Sequence, residues 1–219
     1  MNLRITYYLE VVSSWCHWVE PVWAELQKRY AGQVDFGWKL ALMDDSGMPV
    51  SREQCDWFYR RSGTIMRSPY MLSSGWFDPA LREYLAPNLV CEAARDFGVI
   101  DDRVRLAMAN AAVREGRRVG QWEISAEIGA AAAGLDAGRL LDRARSPEVA
   151  ARAKASTDEF HALKISQRPA FVLEDAIGDR AVFSGLVSIK PLEATIEAML
   201  CDVAGYAAHK AHFGTPPGA

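Results

Sequence analysis

The chain has 219 residues, half of them apolar, and its 25 Lys and Arg against 28 Asp and Glu give a formal charge of −3. A mean hydropathy of −0.09 is that of an ordinary globular chain and excludes a disordered or membrane-embedded one. The basic residues are scattered, which argues against a nucleic-acid or anionic-membrane surface and leaves small molecules or proteins as partners.

Residues Arg4 to Val12 are rich in β-branched and aromatic types and stop at the polar Ser13-Ser14 step, as a buried strand does. Met1 to Leu9 enter this strand with no cationic stretch and apolar run of a secretory signal, so the expected location is cytoplasmic. Trp15, Trp18, Val22, Trp23 and Leu26 then recur at spacings of three and four, predicting an amphipathic helix to Tyr30 with Ser13 or Ser14 at its N-cap and a disturbance at Pro21. Val34 to Leu42 reads as a second strand.

From about Asp44 to His161 strand signals give way to helix signals. Asp78-Pro79, Asp101, Asp136 and Ser146-Pro147 mark helix starts, and Gly98, Gly116 and Gly134 mark helix ends. The Gly129 to Gly134 stretch fits close helix packing. Ala170 to Leu173 and Ala181 to Phe183, separated by a turn at Asp175 to Asp179, predict a hairpin, and Pro191 to Leu200 a last helix. The order is βαβ, helices, ββα. It places a discontinuous α/β domain at 1–44 and 162–204, an inserted helical domain at 45–161, and a flexible tail at 205–219.

The four cysteines, Cys16, Cys55, Cys91 and Cys201, form no Cys-x-x-Cys pair and no Cys/His ligand spacing, so no metal site is expected and free thiols fit a reducing compartment. Cys55, Cys91 and Cys201 fall on helices and read as packing residues.

The element order, with VVSSWCHW closing the first strand and QRPAFVLE opening the third, resembles the DsbA family over essentially the whole chain. The resemblance implies a thioredoxin fold with a four-stranded mixed sheet and an all-helical insertion. In that family the first strand runs into a Cys-x-x-Cys, and here Ser13, Ser14, Trp15 and Cys16 stand in its place. Pro169 matches the family's cis proline. A serine hydroxyl neither attacks nor resolves a disulfide at neutral pH, so the two-cysteine cycle does not transfer. A related branch, the kappa-class glutathione transferases and 2-hydroxychromene-2-carboxylate isomerases, carries serine at this position. That resemblance implies glutathione as cofactor, with Ser13 bonding its sulfur, Trp15, Arg168 and Pro169 aligning it, and Cys16 auxiliary or forming a mixed disulfide. Where that branch has Gly-x-Asp-Arg, this chain reads Ser184-Gly185-Leu186-Val187-Ser188.

Plainer readings of the same residues stay open. Ser13 suits an N-cap, Cys16 suits a buried inert thiol, and His17 points about 100° away from it on the helix. Trp18, Tyr59 and Trp76 line an apolar substrate pocket or serve the core. Arg60, Arg61 and Arg67 meet an acidic substrate or only water. Three functions follow: a cytoplasmic DsbA-like protein of thiol and glutathione chemistry, a glutathione-dependent isomerase or transferase on an aromatic small molecule, or a non-catalytic binding module. A small-molecule or thiol substrate is the expected partner, and a homodimer is compatible with each.

Overall fold

In the computed structural model, which describes residues 3–44, 47–81 and 83–214, β1 (Leu3–Leu9), α1 (Ser14–Arg29) and β2 (Val34–Leu40) form the first unit. β1 and β2 pair in parallel, from Leu3 opposite Val34 to Leu9 opposite Leu40. Leu3, Ile5, Tyr7 and Leu9 pack with Trp23 and Leu26 of α1 in the main core. Tyr8 belongs to the other face, with Phe160 and Val172. Burial on both faces is why this strand reads as a nearly continuous apolar run rather than an alternating one.

Among the described residues six α-helices follow: α2 (Arg52–Ile65), α3 (Leu85–Ala94), α4 (Arg103–Val113), α5 (Trp122–Ala133), α6 (Ala137–Ala144) and α7 (Pro147–Ala162). Ser51, Asp136 and Ser146 cap α2, α6 and α7, each accepting from the backbone N–H three residues on. At Gly129 of α5 a Cβ would stand 2.6 Å from Val90 and 3.1 Å from Leu140, so the small residue sets how closely α5 meets α3 and α6. One expected start moved. The Asp78 side chain accepts from Ala80 N at 3.0 Å, closing a local turn, and the helix begins only at Leu85.

α7 returns the chain to the sheet, with Phe160 against Tyr8 and Ser156 Oγ donating to Leu40 O at 2.7 Å. The insertion is also pinned to α1 by charge. Arg105 of α4, its side chain 2% exposed, donates to Glu20 of α1 at 2.5 Å and to Asp102 at 2.9 Å. Trp23 and Gln27 of α1 donate to the same Asp102 carboxylate at 3.0 and 3.1 Å.

β3 (Ala170–Asp175) and β4 (Arg180–Ser184) complete a mixed sheet of order β2-β1-β3-β4, with β3 antiparallel to both neighbours. α8 runs Ile189–Phe213, past the expected end at Leu200 and through the first part of the expected tail. Leu192, Ile196, Met199 and Val203 bury one face. Beyond Val203 the helix is exposed and continues on alanine-rich sequence, the strongest helix formers. Met1, Asn2, Asp45 at the expected start of the insertion, Ser46, Arg82 and residues 215–219 lie outside the described residues. No helix among the described residues is long and apolar enough to cross a membrane.

Candidate active site

After β1 the chain turns at Glu10, whose carbonyl accepts from Ser13 N at 3.1 Å, and enters α1. Ser13 has extended backbone and its Oγ accepts from Cys16 N at 3.4 Å, so the N-cap expectation holds. No acidic residue occupies the first turn of α1. The partial positive charge of the helix start is therefore offset by no carboxylate of that turn.

Ser13, 8% exposed, borders a cavity of about 210 Å³ whose walls include Trp15, Met43, Cys55, Tyr59 and Trp76. Trp76 Nε1 donates to the Tyr59 hydroxyl at 2.5 Å, which holds the two rings as one wall. Thus Ser13, Trp15, Tyr59 and Trp76 come together around one cavity. Trp18 does not. Its Nε1 donates to Ser62 at 3.0 Å and its ring packs on Tyr70, away from the cavity lining.

Cys16 lies beneath this surface, 2% exposed and absent from the cavity walls. Burial pushes its thiol up to about 11 despite hydrogen bonds from Glu10, Ser13 and Tyr7 that favour the thiolate. At neutral pH it is a thiol. Cys55 does reach the cavity wall, and burial likewise raises it to about 12. His17, next to Cys16 in sequence, turns its Nε2 to the Tyr70 hydroxyl at 3.2 Å.

The Arg168-Pro169 peptide is cis. A second space of about 300 Å³ opens beside the cavity, lined by Trp15, Arg61, Gln167, Arg168 and Gly185. Gly185 adopts φ +74°, and a Cβ there would collide with the Gln167 side chain, so glycine keeps this loop against the proline segment. Trp15 and Arg61 belong to both spaces. Arg168, which lines the second space, is also engaged by backbone. Its guanidinium donates to Leu42 O at 2.7 Å, to Ser166 O at 3.3 Å and to Ala41 O, and lies over the Phe160 ring. These donors hold the chain just past the end of β2 and the segment before Pro169.

Sequence reasoning missed Glu10. It is 1% exposed, accepts from Met43 N at 3.0 Å and from Asn88 Nδ2, and is pushed up to about 7 by burial. A lone acid within the apolar strand end LEVV was the available signal, because glutamate is buried only where partners wait for it. Among the described residues no group of three or more His, Cys, Asp or Glu could hold a metal ion.

A βαβ unit, a helical insertion and a ββα unit, with a cis Arg168-Pro169 peptide whose Arg168 shares a space with Trp15 of α1, define the DsbA-like thioredoxin fold. Solved structures agree. DsbM of Pseudomonas aeruginosa, described as a cytosolic disulfide reductase, superposes with a TM-score of 0.72 at 20% identity, over 90% of this chain and 98% of that one. The same protein with GSH gives 0.70 at 19% identity, again over 90% and 98%. A 2-hydroxychromene-2-carboxylate isomerase gives 0.62 at 14% identity, over 93% and 98%. No family model and no curated protein matches the sequence.

Proposed function

We propose that this chain binds a small thiol of the glutathione type at Ser13 and uses the bound sulfur, in place of a Cys-x-x-Cys pair, for thiol chemistry in the cytoplasm. The observation that carries this reading is the exchange of roles at the start of α1: a hydroxyl borders the cavity, while the remaining cysteine is sealed below it as a neutral thiol. Ser13 would donate to the ligand sulfur, and the N-terminus of α1 would favour its thiolate. Bound there, the thiol supplies the nucleophile that the chain lacks. Trp15 would cover it, and the backbone just before Pro169 would pair with a peptide-like ligand as an added strand does. The likeness to DsbM, solved with GSH, supports the ligand class. All four cysteines are free, in keeping with a reducing compartment.

A second reading is favoured by the cavity itself. Phe58, Tyr59, Trp76 and Trp15 give it an aromatic wall suited to a flat apolar substrate, as a glutathione-dependent isomerase or transferase would need. Both readings require the same thiol site. Calorimetric titration of wild type and Ser13→Ala with glutathione tests it. Loss of one hydrogen bond to a charged sulfur predicts at least about tenfold weaker binding in the variant. Equal affinity in the two proteins, or none in either, would overturn the assignment of Ser13.

A further inference from the structure

The thiol site has a place for a sulfur but, with Arg168 committed to backbone carbonyls, no evident partner for the carboxylates that such thiols carry. Among the described residues lining the two adjoining spaces, the only cations are Arg61 and Arg168, and there is no carboxylate. The donors of Arg168 go to Ala41, Leu42 and Ser166. Arg61 differs in every respect. It is exposed, makes no hydrogen bond or ion pair with another described residue, and lines both spaces. Its guanidinium carbon lies 5.3 Å from the Trp57 ring centroid, 5.9 Å from Phe58 and 6.0 Å from Trp15. Such aromatic neighbours steady an arginine without occupying its N–H donors, leaving them for a ligand.

Resting on the thiol-binding reading, we infer that Arg61, presented by α2 of the insertion, is the carboxylate anchor of the site and selects anionic thiols over neutral ones. The dimensions agree. A cavity of about 210 Å³ is below the range of roughly 300–1,000 Å³ usual for small-molecule sites, so a tripeptide-sized ligand must extend into the neighbouring space. That route passes between Trp15 and Arg61, the two residues common to both. A planar guanidinium there can take a carboxylate with two parallel hydrogen bonds while the sulfur rests at Ser13. The helical insertion thereby supplies specificity, and the thioredoxin core supplies the thiolate site.

The test uses the full chain as wild type, Arg61→Ala, Arg61→Lys and Ser13→Ala, titrated with glutathione, its diethyl ester and S-methylglutathione. Wild type should bind glutathione about tenfold or more tightly than the diester. Arg61→Ala should bring the two to near equality by weakening glutathione alone, and Arg61→Lys should restore part of the difference. If Arg61→Ala weakens both ligands alike, or neither, the anchor is refuted even while Ser13→Ala still confirms the thiol site. S-methylglutathione, which cannot form a thiolate, should depend on Arg61 alone; if glutathione too binds in an Arg61-dependent and Ser13-independent way, the anchor stands and the thiolate site falls. No binding of any of the three by wild type overturns both.

Discussion

At Ser13 one oxygen serves two purposes, capping α1 through Cys16 N and bordering the cavity, and the two can be separated by the choice of replacement. Alanine at an N-cap costs typically about 1 kcal/mol, while glycine costs only a few tenths. Ser13→Gly should therefore keep nearly the wild-type denaturant midpoint yet bind glutathione as poorly as Ser13→Ala. A glycine variant that binds normally would leave Ser13 with capping alone. The cysteines make a sharper contrast. Cys16, Cys55 and Cys91 are buried and Cys201 is exposed on α8. A maleimide should label one thiol per native chain, abolished by Cys201→Ser, and all four after denaturation. Cys201 thus departs from the packing role its helical position suggested.

Two groups, Glu10 buried and His17 partly so, set opposing pH dependences. Glu10 rises from 4.5 to about 7 on folding, so between those values the native state holds more protons than the unfolded one and stability falls as pH rises. His17 falls from 6.5 to about 4, through burial and then the Arg114 charge, so between those values stability rises with pH. The two slopes overlap and largely cancel in the wild type. Urea titrations across pH 4.5 to 7 should show stability climbing in Glu10→Gln and declining in His17→Gln. The wild-type minus Glu10→Gln difference should shrink by about 3 kcal/mol over that range. Parallel curves for wild type and Glu10→Gln would show that Glu10 keeps an ordinary pKa.

Among the elements, α1 joins the sheet, the candidate site and helix α4 of the insertion. Its inner face fills the sheet core, its start forms the site, and Glu20, Trp23 and Gln27 receive α4. Arg105→Ala would strand the Glu20 and Asp102 carboxylates in a buried setting and should cost about 3–5 kcal/mol by chemical denaturation. A loss under about 1 kcal/mol would mean that water replaces the guanidinium. Most elements were legible because a local signal coincided with the final structure: Ser146-Pro147 opens α7, Gly134 closes α5 with a left-handed φ, and the hairpin turn falls between Asp175 and Arg180. The misreadings share a cause. The Asp78 turn and the extension of α8 were decided by a side chain folding back on its own backbone and by helix propensity continuing where burial stops. Neither leaves a mark in apolar spacing.

For the molecule as a whole, the fold and half of the site could be read from the SSWC and RPAF segments, because each carries its chemistry within a few residues. The other half could not. Trp18 shares a helix with Trp15 but is turned to Ser62, and Arg168 neighbours Pro169 but reaches back to residues 41 and 42. Arg61 and Cys55 meet Ser13 only through the packing of α2. These are long-range facts, invisible to spacing.

The place of the insertion has a consequence for how this chain is made. β1 is an inner strand, yet of its two partners only β2 follows promptly, while Tyr8 pairs with Ala170 on the far side of six helices. During synthesis the open edge of β1 and the apolar residues behind it must wait until β3 has emerged. Pairings so distant in sequence are slow to form, and exposed strand edges are prone to associate meanwhile. Fragments ending before residue 170 should therefore accumulate as aggregates or chaperone-bound chains even when their helices have formed.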